Sequence, residues 1–319
     1  MKLILAAILV FALPALADDF PTKPVRVIVP VPPGGVIDNG MRAISDVLGQ
    51  RLGQPVIIEN RPGANGVVGA QVVANSDKDG YTLLACVDGT AAVSLNPAIV
   101  PNASLNMLRD FTPVTKLGDF YLVLVANPKM PAKNLAEFLA MAKQKGDTYG
   151  FGTSGIGSTP HLSGELLAQR TGVKLVHVPY KGGGQAITDV LGGQIPLVFT
   201  TVPSAQQHVK QGKLVALGVA SAKRSAVLPD VPTFIESGLP GFDVSGWVGI
   251  FAPAGTPSAV IERLQKEFAA SVTDPKAKER FDALGLQPVA NPPAEFAQQV
   301  KADSQRWAEV VKKGQIRIE

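Results

Sequence analysis

The stretch VRVIVPVPPGGVID, Val25 to Asp38, decides the fold. Its first half, VRVIVPV, is a β-branched run of the kind that forms a strand buried in a sheet. Pro30, Pro32, Pro33, Gly34 and Gly35 then make a loop that is stiff at its prolines and bare at its glycines. Beyond it Met41, Ile44, Leu48 and Leu52 recur at helical spacing, and Gly53 ends the helix. A strand that hands over to a helix in this way opens an α/β unit. Asp38 reads as the N-cap of that helix, because a carboxylate in a ligand contact would repel an anionic guest.

The same alternation runs on. PVIIEN is a second strand, RPGANG leads into a short helix through Val72 and Val73, and DGYTLLACV is a third strand entered by an Asp-Gly turn. This β-α-β-α-β order predicts a parallel sheet with helices on both faces. Cys86, the only cysteine, lies in that third strand and reads as a buried small hydrophobe; a single cysteine excludes an intramolecular disulfide.

A second alternation begins near residue 122. YLVLVANP, YGFGTSG, KLVHVPY, PLVFTTV and LVALGVA read as strands, with AEFLAMAKQ, HLSGELLAQRTG, AITDVLGG and AQQHVKQG as the helices between them. The rhythm then changes to the long extended piece DVSGWVGIFAPAG and helices around Ile261 to Phe268, Lys276 to Leu284 and Ala294 to Lys312. Thr256 and Pro257 read as N-cap and first turn of the first of these. Trp247 and Trp307 read as core or hinge packing. A chain that leaves one α/β unit, builds a second and returns predicts two domains, 18–121 with 242–319 and 122–241. At least two crossings join them around a cleft suited to closing on a ligand.

Bulk composition agrees. At 319 residues there is enough chain for two cores. With 6% aromatics against 32 Gly and 26 Pro, those cores are expected to be aliphatic and the connections tight. The formal charge of +4 is mild, and no cluster of Lys and Arg with interleaved aromatics points to nucleic acid. The opening MKLILAAILVFALPALA has one Lys, a short apolar run and an A-x-A site, the form of a secretory signal cut after Ala17. An exported, soluble monomer is expected.

Three glycine-bearing loops fall at the carboxyl end of a strand just before a helix: PPGGV, GTSGIGSTP and YKGGGQ. Ligands of open α/β sheets bind outside such strand ends, where a helix start offers unpaired N–H groups to an anion. Ser154, Ser158 and Thr159 add hydroxyl donors, and His161 falls in a first turn at the cleft. The competing reading is that Ser158 or Thr159 merely caps the helix and that His161 is a surface residue.

Other chemistries find less support. PPGGV lacks the dinucleotide fingerprint and no P-loop occurs, so no cofactor is expected. No His pair stands at metal-ligand spacing and no acidic cluster suggests calcium, so no metal is expected. GxSxG is absent. With His161, His177 and His208 present, an exported serine hydrolase of a small ester or amide stays as the alternative, pairing a serine with His161.

Taken in order, IVPVPPGGVID, ENRPGANG, DGYTLL, the Asn-Pro of SLNPAIV, DFTPV, TSGIGSTPHL, HVPYKGGGQAITDVLGGQ, LPDVPTFIESGLPGF and WVGIFAPAGTP resemble the Bug-type receptors of tripartite tricarboxylate transporters. The resemblance covers nearly the whole mature chain. It implies a periplasmic binding protein: two Rossmann-like α/β domains, a type II-like flytrap, that captures a small carboxylate for a membrane permease. It also implies that the loop after the first strand and the serine-glycine loop hold one ligand carboxylate, partly through water. Carried onto this chain, that set is Val31, Gly34, Gly35, Val36, Ile37, Ser154, Gly157, Ser158 and His161, with Thr90 and Tyr180 as further cleft candidates.

Two departures from the family pattern bear on the ligand. Many members have F-P-A-G-G-G-T-D where this chain has VPPGGVID, so Val36 and Ile37 make a more apolar wall. Members that hold amino acids resemble one another in an Asp after the PLVF strand, where this chain has Thr200. An ammonium group would lie unpaired there. A dicarboxylate or an aromatic acid is the expected guest.

Overall fold

The computed structural model describes residues 20–318, so the predicted signal and its cleavage after Ala17 lie outside the described residues. Two sheets carry the fold, one of six strands and one of five.

The first sheet starts as the sequence implies. Strand β1 (Val25–Val29) leads to helix α1 (Val36–Leu52), β2 (Val56–Asn60), a 3-10 turn at Ala64–Gly66, α2 (Val67–Ala74) and β3 (Thr82–Val87). Helix α1 buries Met41, Ile44, Leu48 and Leu52 on one stripe, and Gly53 closes it in the left-handed conformation at φ 71°. Cys86 is buried within β3. A short α3 (Met107–Asp110) precedes β4 (Phe111–Phe120), which runs straight into the other sheet.

There β5 (Leu122–Ala126), α4 (Leu135–Lys145), β6 (Thr148–Thr153), α5 (Thr159–Thr171), β7 (Lys174–Pro179), α6 (Gly183–Gly192), β8 (Leu197–Thr201), α7 (Val202–Lys210) and β9 (Val215–Val219) follow. The chain then returns through β10 (Gly246–Pro253), α8 (Ser258–Val272), α9 (Pro275–Leu284), β11 (Leu286–Pro288) and α10 (Pro293–Gly314).

The strand orders are β11-β4-β10-β3-β1-β2 and β7-β6-β8-β5-β9. The parallel arrangement expected for β1, β2 and β3 is present, and both sheets become mixed through other strands. β1 runs parallel to β2 and β3, but β10 lies antiparallel between β3 and β4. The cause is where the chain comes back: Gly246, at the start of β10, sits opposite Phe120, at the end of β4. The chain leaves and re-enters the sheet at the same end, so β10 must run away from that end. In the second sheet β5 is antiparallel to both of its neighbours.

Two local expectations are corrected. Thr256 does not cap α8; its hydroxyl donates to the Pro253 carbonyl at 2.9 Å and the helix begins at Ser258. Asp38 is not the N-cap of α1 but its third residue, buried at 2% exposure, and Gly35 is the N-cap. From inside the first turn its carboxylate reaches back to accept the Gly34 N–H at 2.9 Å, a reciprocal form of capping, while Asn60 and Arg42 donate to its other side. These donors hold the Asp38 carboxyl below the usual range against the cost of its burial.

Trp247 and Trp307 are fully buried, the first with its indole N–H donating to Asp303 at 2.8 Å. Helix α10 also reaches the second sheet's layer: Gln169 on α5 donates to the Val310 carbonyl at 2.9 Å.

Candidate functional site

Between the two sheets lies a cavity of about 400 Å³. Its walls come from strand-end loops on both sides, as the position of ligand sites in open α/β sheets requires. From the first sheet it takes Val31 and Val36 around the start of α1, the turn at Asn65 and Gly66, and Thr90 beyond β3. From the second it takes Ser154, Ile156, Gly157, Ser158 and Thr159 between β6 and α5, with Lys181 and Thr201.

Of the twelve residues singled out from the sequence, six line this cavity: Val31, Val36, Thr90, Ser154, Gly157 and Ser158. Gly34 and Gly35 form the turn behind the wall, the first at φ 90° with its N–H already given to Asp38. Ile37 points into the core at 2% exposure, because consecutive residues at a helix start face about 100° apart. Of the pair Val36 and Ile37, only Val36 therefore contributes to the apolar wall. Thr200, on β8, is buried against the start of α6, where a methyl on Gly183 would lie 3.1 Å from its hydroxyl, and the alternation along β8 gives the cavity to Thr201 instead.

His161 lies behind the loop rather than in the cavity. Its Nδ1 accepts the Gly157 N–H at 3.0 Å, and its ring stacks on His177 with centroids 3.7 Å apart. Burial holds it neutral, its pKa lowered to about 3, with a further push from His177. His177 is lowered to about 4 by burial and shares a hydrogen bond of 2.6 Å with the Thr153 hydroxyl. Tyr180 does not line this cavity but an adjoining hollow, and its hydroxyl donates to Asp189 at 2.6 Å.

The Ser158 hydroxyl is also occupied. It donates to the Gly155 carbonyl at 2.7 Å and accepts the His161 N–H at 3.4 Å, which makes Ser158 the N-cap of α5. Ser154 is exposed to the cavity, and its hydroxyl has no hydrogen bond to the chain among the described residues.

First-turn amides of a helix lack an intrahelical acceptor. Ser158 takes that of His161, while Asp38 and His161 take the amides of Gly34 and Gly157 just before the N-caps. The N–H groups of Val36 and Thr159, both in the cavity wall, meet no acceptor among the described residues. They open from helices on opposite sheets onto one space, each at the positive end of a helix dipole. No Asp or Glu is among the lining residues, and Lys181 is the only charged one. The cavity is built to take an anion with an apolar body.

Sequence reasoning passed over Asn65, Gly66, Lys181 and Thr201. RPGANG was visible as one more glycine-rich loop after a strand, but its part in leading α2 masked its part in the wall. The approach there is close: a methyl on Gly66 would lie 2.6 Å from the Thr90 methyl.

Beneath the cavity, Asp88 caps the π-helical turn Gly89–Ser94 and is 1% exposed. Burial, with the Asp303 charge nearby, pushes its pKa up to about 7. Among the described residues no three His, Cys, Asp or Glu gather as a metal site, and no helix is long and apolar enough to cross a membrane.

Comparison with known proteins agrees with this geometry. Residues 41–316 match the model of the tripartite tricarboxylate transporter family receptor. Protein BugT of Bordetella pertussis is 37% identical over 301 residues, 94% of this chain and 92% of its own. A Rhodopseudomonas palustris protein solved with adipate superposes with a TM-score of 0.82 at 31% identity, covering 94% of this chain and 99% of that one. MatC from the same organism, solved with bound malate, gives a TM-score of 0.78 at 34% identity, covering 92% and 100%. By fold and by sequence the chain belongs to the tripartite tricarboxylate transporter receptor family, the periplasmic solute-binding receptors.

Proposed function

We propose that this chain is an exported receptor that captures a small carboxylate with an apolar body, a dicarboxylate or an aromatic acid, and delivers it to the permease of a tripartite transporter. The observation that carries this reading is the acid-free cavity with the unpartnered amides of Val36 and Thr159 on opposite walls. They receive the carboxylate with the hydroxyl of Ser154, while Val31, Val36 and Ile156 pack the ligand body. The relatives solved with adipate and malate, both dicarboxylic acids, support the ligand class.

The domain division at 18–121 with 242–319 against 122–241 belongs to the same proposal. The sheet change between Phe120 and Leu122 supports it, and closure of the two halves on the ligand is the expected motion. The chain acts as a monomer, with its signal removed after Ala17.

Against the hydrolase alternative stands the hydrogen bonding of its two residues. The Ser158 hydroxyl meets the backbone N–H of His161 and not its imidazole, whose Nδ1 accepts from Gly157. A serine nucleophile needs the imidazole as base.

Titration calorimetry of the mature chain against mono-, di- and aromatic carboxylates tests the function. Binding at micromolar or tighter affinity with a single site is expected. Silence across the panel at millimolar ligand would remove the carboxylate reading, and release of alcohol or amine from ester and amide substrates would restore the hydrolase.

A further inference from the structure

The ligand cavity does not end at Lys181. A second hollow of about 470 Å³ continues outward from it, sharing Asn65, Ile156 and Lys181 and adding Arg317. The two cations come from unrelated places: Lys181 from the loop before α6, Arg317 from the tail beyond α10. That tail is anchored. The Ile316 N–H donates to the Val311 carbonyl at 3.0 Å, and Ile318, 9% exposed, packs so close to Gly157 that a methyl there would lie 3.3 Å from its Cγ2. Arg317 is thus carried to the opening by residues packed on either side of it.

Neither hollow is lined by an Asp or Glu, and neither cation forms an ion pair among the described residues. Several other arginines are matched by acids: Arg26 with Glu59, Arg42 with Asp38, Arg51 with Glu267, Arg224 with Glu236. Two cations that share an opening with no acid between them repel each other weakly across water, and an anion placed between them relieves that repulsion and gains charge-assisted bonds to both.

Resting on the receptor reading above, we propose that Lys181 and Arg317 are specificity residues for a second anionic group on the ligand. The first carboxylate sits at the helix starts, the apolar body lies along Val36 and Ile156, and the second carboxylate emerges between the two cations. The preferred guest is then a linear dicarboxylate long enough to reach from one hollow to the other, and a monocarboxylate of equal length is the poorer ligand. The same pair would draw dianions toward the opening.

Calorimetry of the mature chain with linear dicarboxylates and with monocarboxylates of matched chain length tests this, on the wild type, K181Q, R317Q and the double variant. Both side chains are exposed, so thermal melts should confirm unchanged folding. The wild type is expected to favour the best diacid over its monoacid by about tenfold or more, and the double variant is expected to lose about tenfold more diacid than monoacid affinity, which erases that preference. The preference should also shrink as salt is raised. Equal binding of both acids by the wild type, or a preference that survives in the double variant, overturns the assignment and leaves the receptor reading standing. Failure of every acid to bind overturns both.

Discussion

Thr159 Oγ1 lies 3.0 and 2.9 Å from the two carboxylate oxygens of Asp88, which ties the start of α5 to the end of β3 between the two sheets. Both residues are buried, at 4% and 1% exposure, directly under the cavity. The bond makes the acid part of the hold between the halves.

Asp88 should make the fold sensitive to pH in a definite direction. Its pKa is about 7 when folded, against about 3.9 for an unfolded Asp. Between those values the folded chain keeps a proton that the unfolded chain has released. The group's contribution is therefore whole below about pH 4 and is lost as pH rises through 7. Asp88→Asn removes this dependence, so its stability should rise relative to the wild type on going from pH 4.5 to pH 8, by on the order of 2 to 4 kcal/mol. Asp119 and Glu165, whose burial also raises them, are common to both proteins and cancel in the difference. Chemical denaturation at several pH values measures it, and parallel curves for the two proteins would refute the assignment.

The stacked imidazoles act in the opposite sense. His161 and His177 are lowered to about 3 and about 4, whereas unfolded histidine takes up its proton near pH 6.5. The stabilisation they carry as neutral rings is present above that value and is lost as pH falls from about 6.5 toward 4. Proton NMR of the two rings should show no titration between pH 8 and pH 5. A ring that titrates near 6.5 would mean that it is solvated and that the stack is open.

Much of this arrangement was legible in the sequence. The stripe of Met41, Ile44, Leu48 and Leu52 and the stop at Gly53 fix α1, and the loop PPGGV brings Val36 to the cavity. What could not be read was phase and return. Whether Val36 or Ile37, Thr200 or Thr201 faces the ligand turns on one residue of register, which local spacing does not fix when both neighbours are apolar or both are threonine. The direction of β10 depends on where the second unit gives the chain back, and Arg317 reaches the opening through packing of a tail with no pattern of its own.

The serine loop separates holding from binding. Ser158 caps α5, so Ser158→Ala should cost about 1 kcal/mol of stability, with Ser158→Gly costing less. Ser154, whose hydroxyl faces the cavity, should behave the other way: Ser154→Ala leaves the melting temperature unchanged and weakens carboxylate binding by about 1 to 3 kcal/mol. Melting curves and calorimetry on the same two variants decide it. An equal loss of affinity with no loss of stability in both would make Ser158 a ligand donor after all.

Gly66 and Thr90 should show coupling because they touch. Gly66 stands at φ 95°, and a methyl there would come within 2.6 Å of the Thr90 methyl and 2.8 Å of its hydroxyl. Gly66→Ala therefore carries two costs: a left-handed backbone for a residue with a Cβ, about 1 to 2 kcal/mol, and a clash that must push Thr90 or the Asn65 turn into the cavity. Thr90→Ala alone loses the hydroxyl's bond to the Asn65 carbonyl, now 3.3 Å, a minor effect. In the double variant the clash is gone and only the backbone cost remains. The double-mutant cycle should thus give a favourable interaction of at least about 1 kcal/mol in stability, with ligand affinity recovering in step as the wall moves back. Strict additivity in both measurements would mean that the two residues do not share the cavity wall.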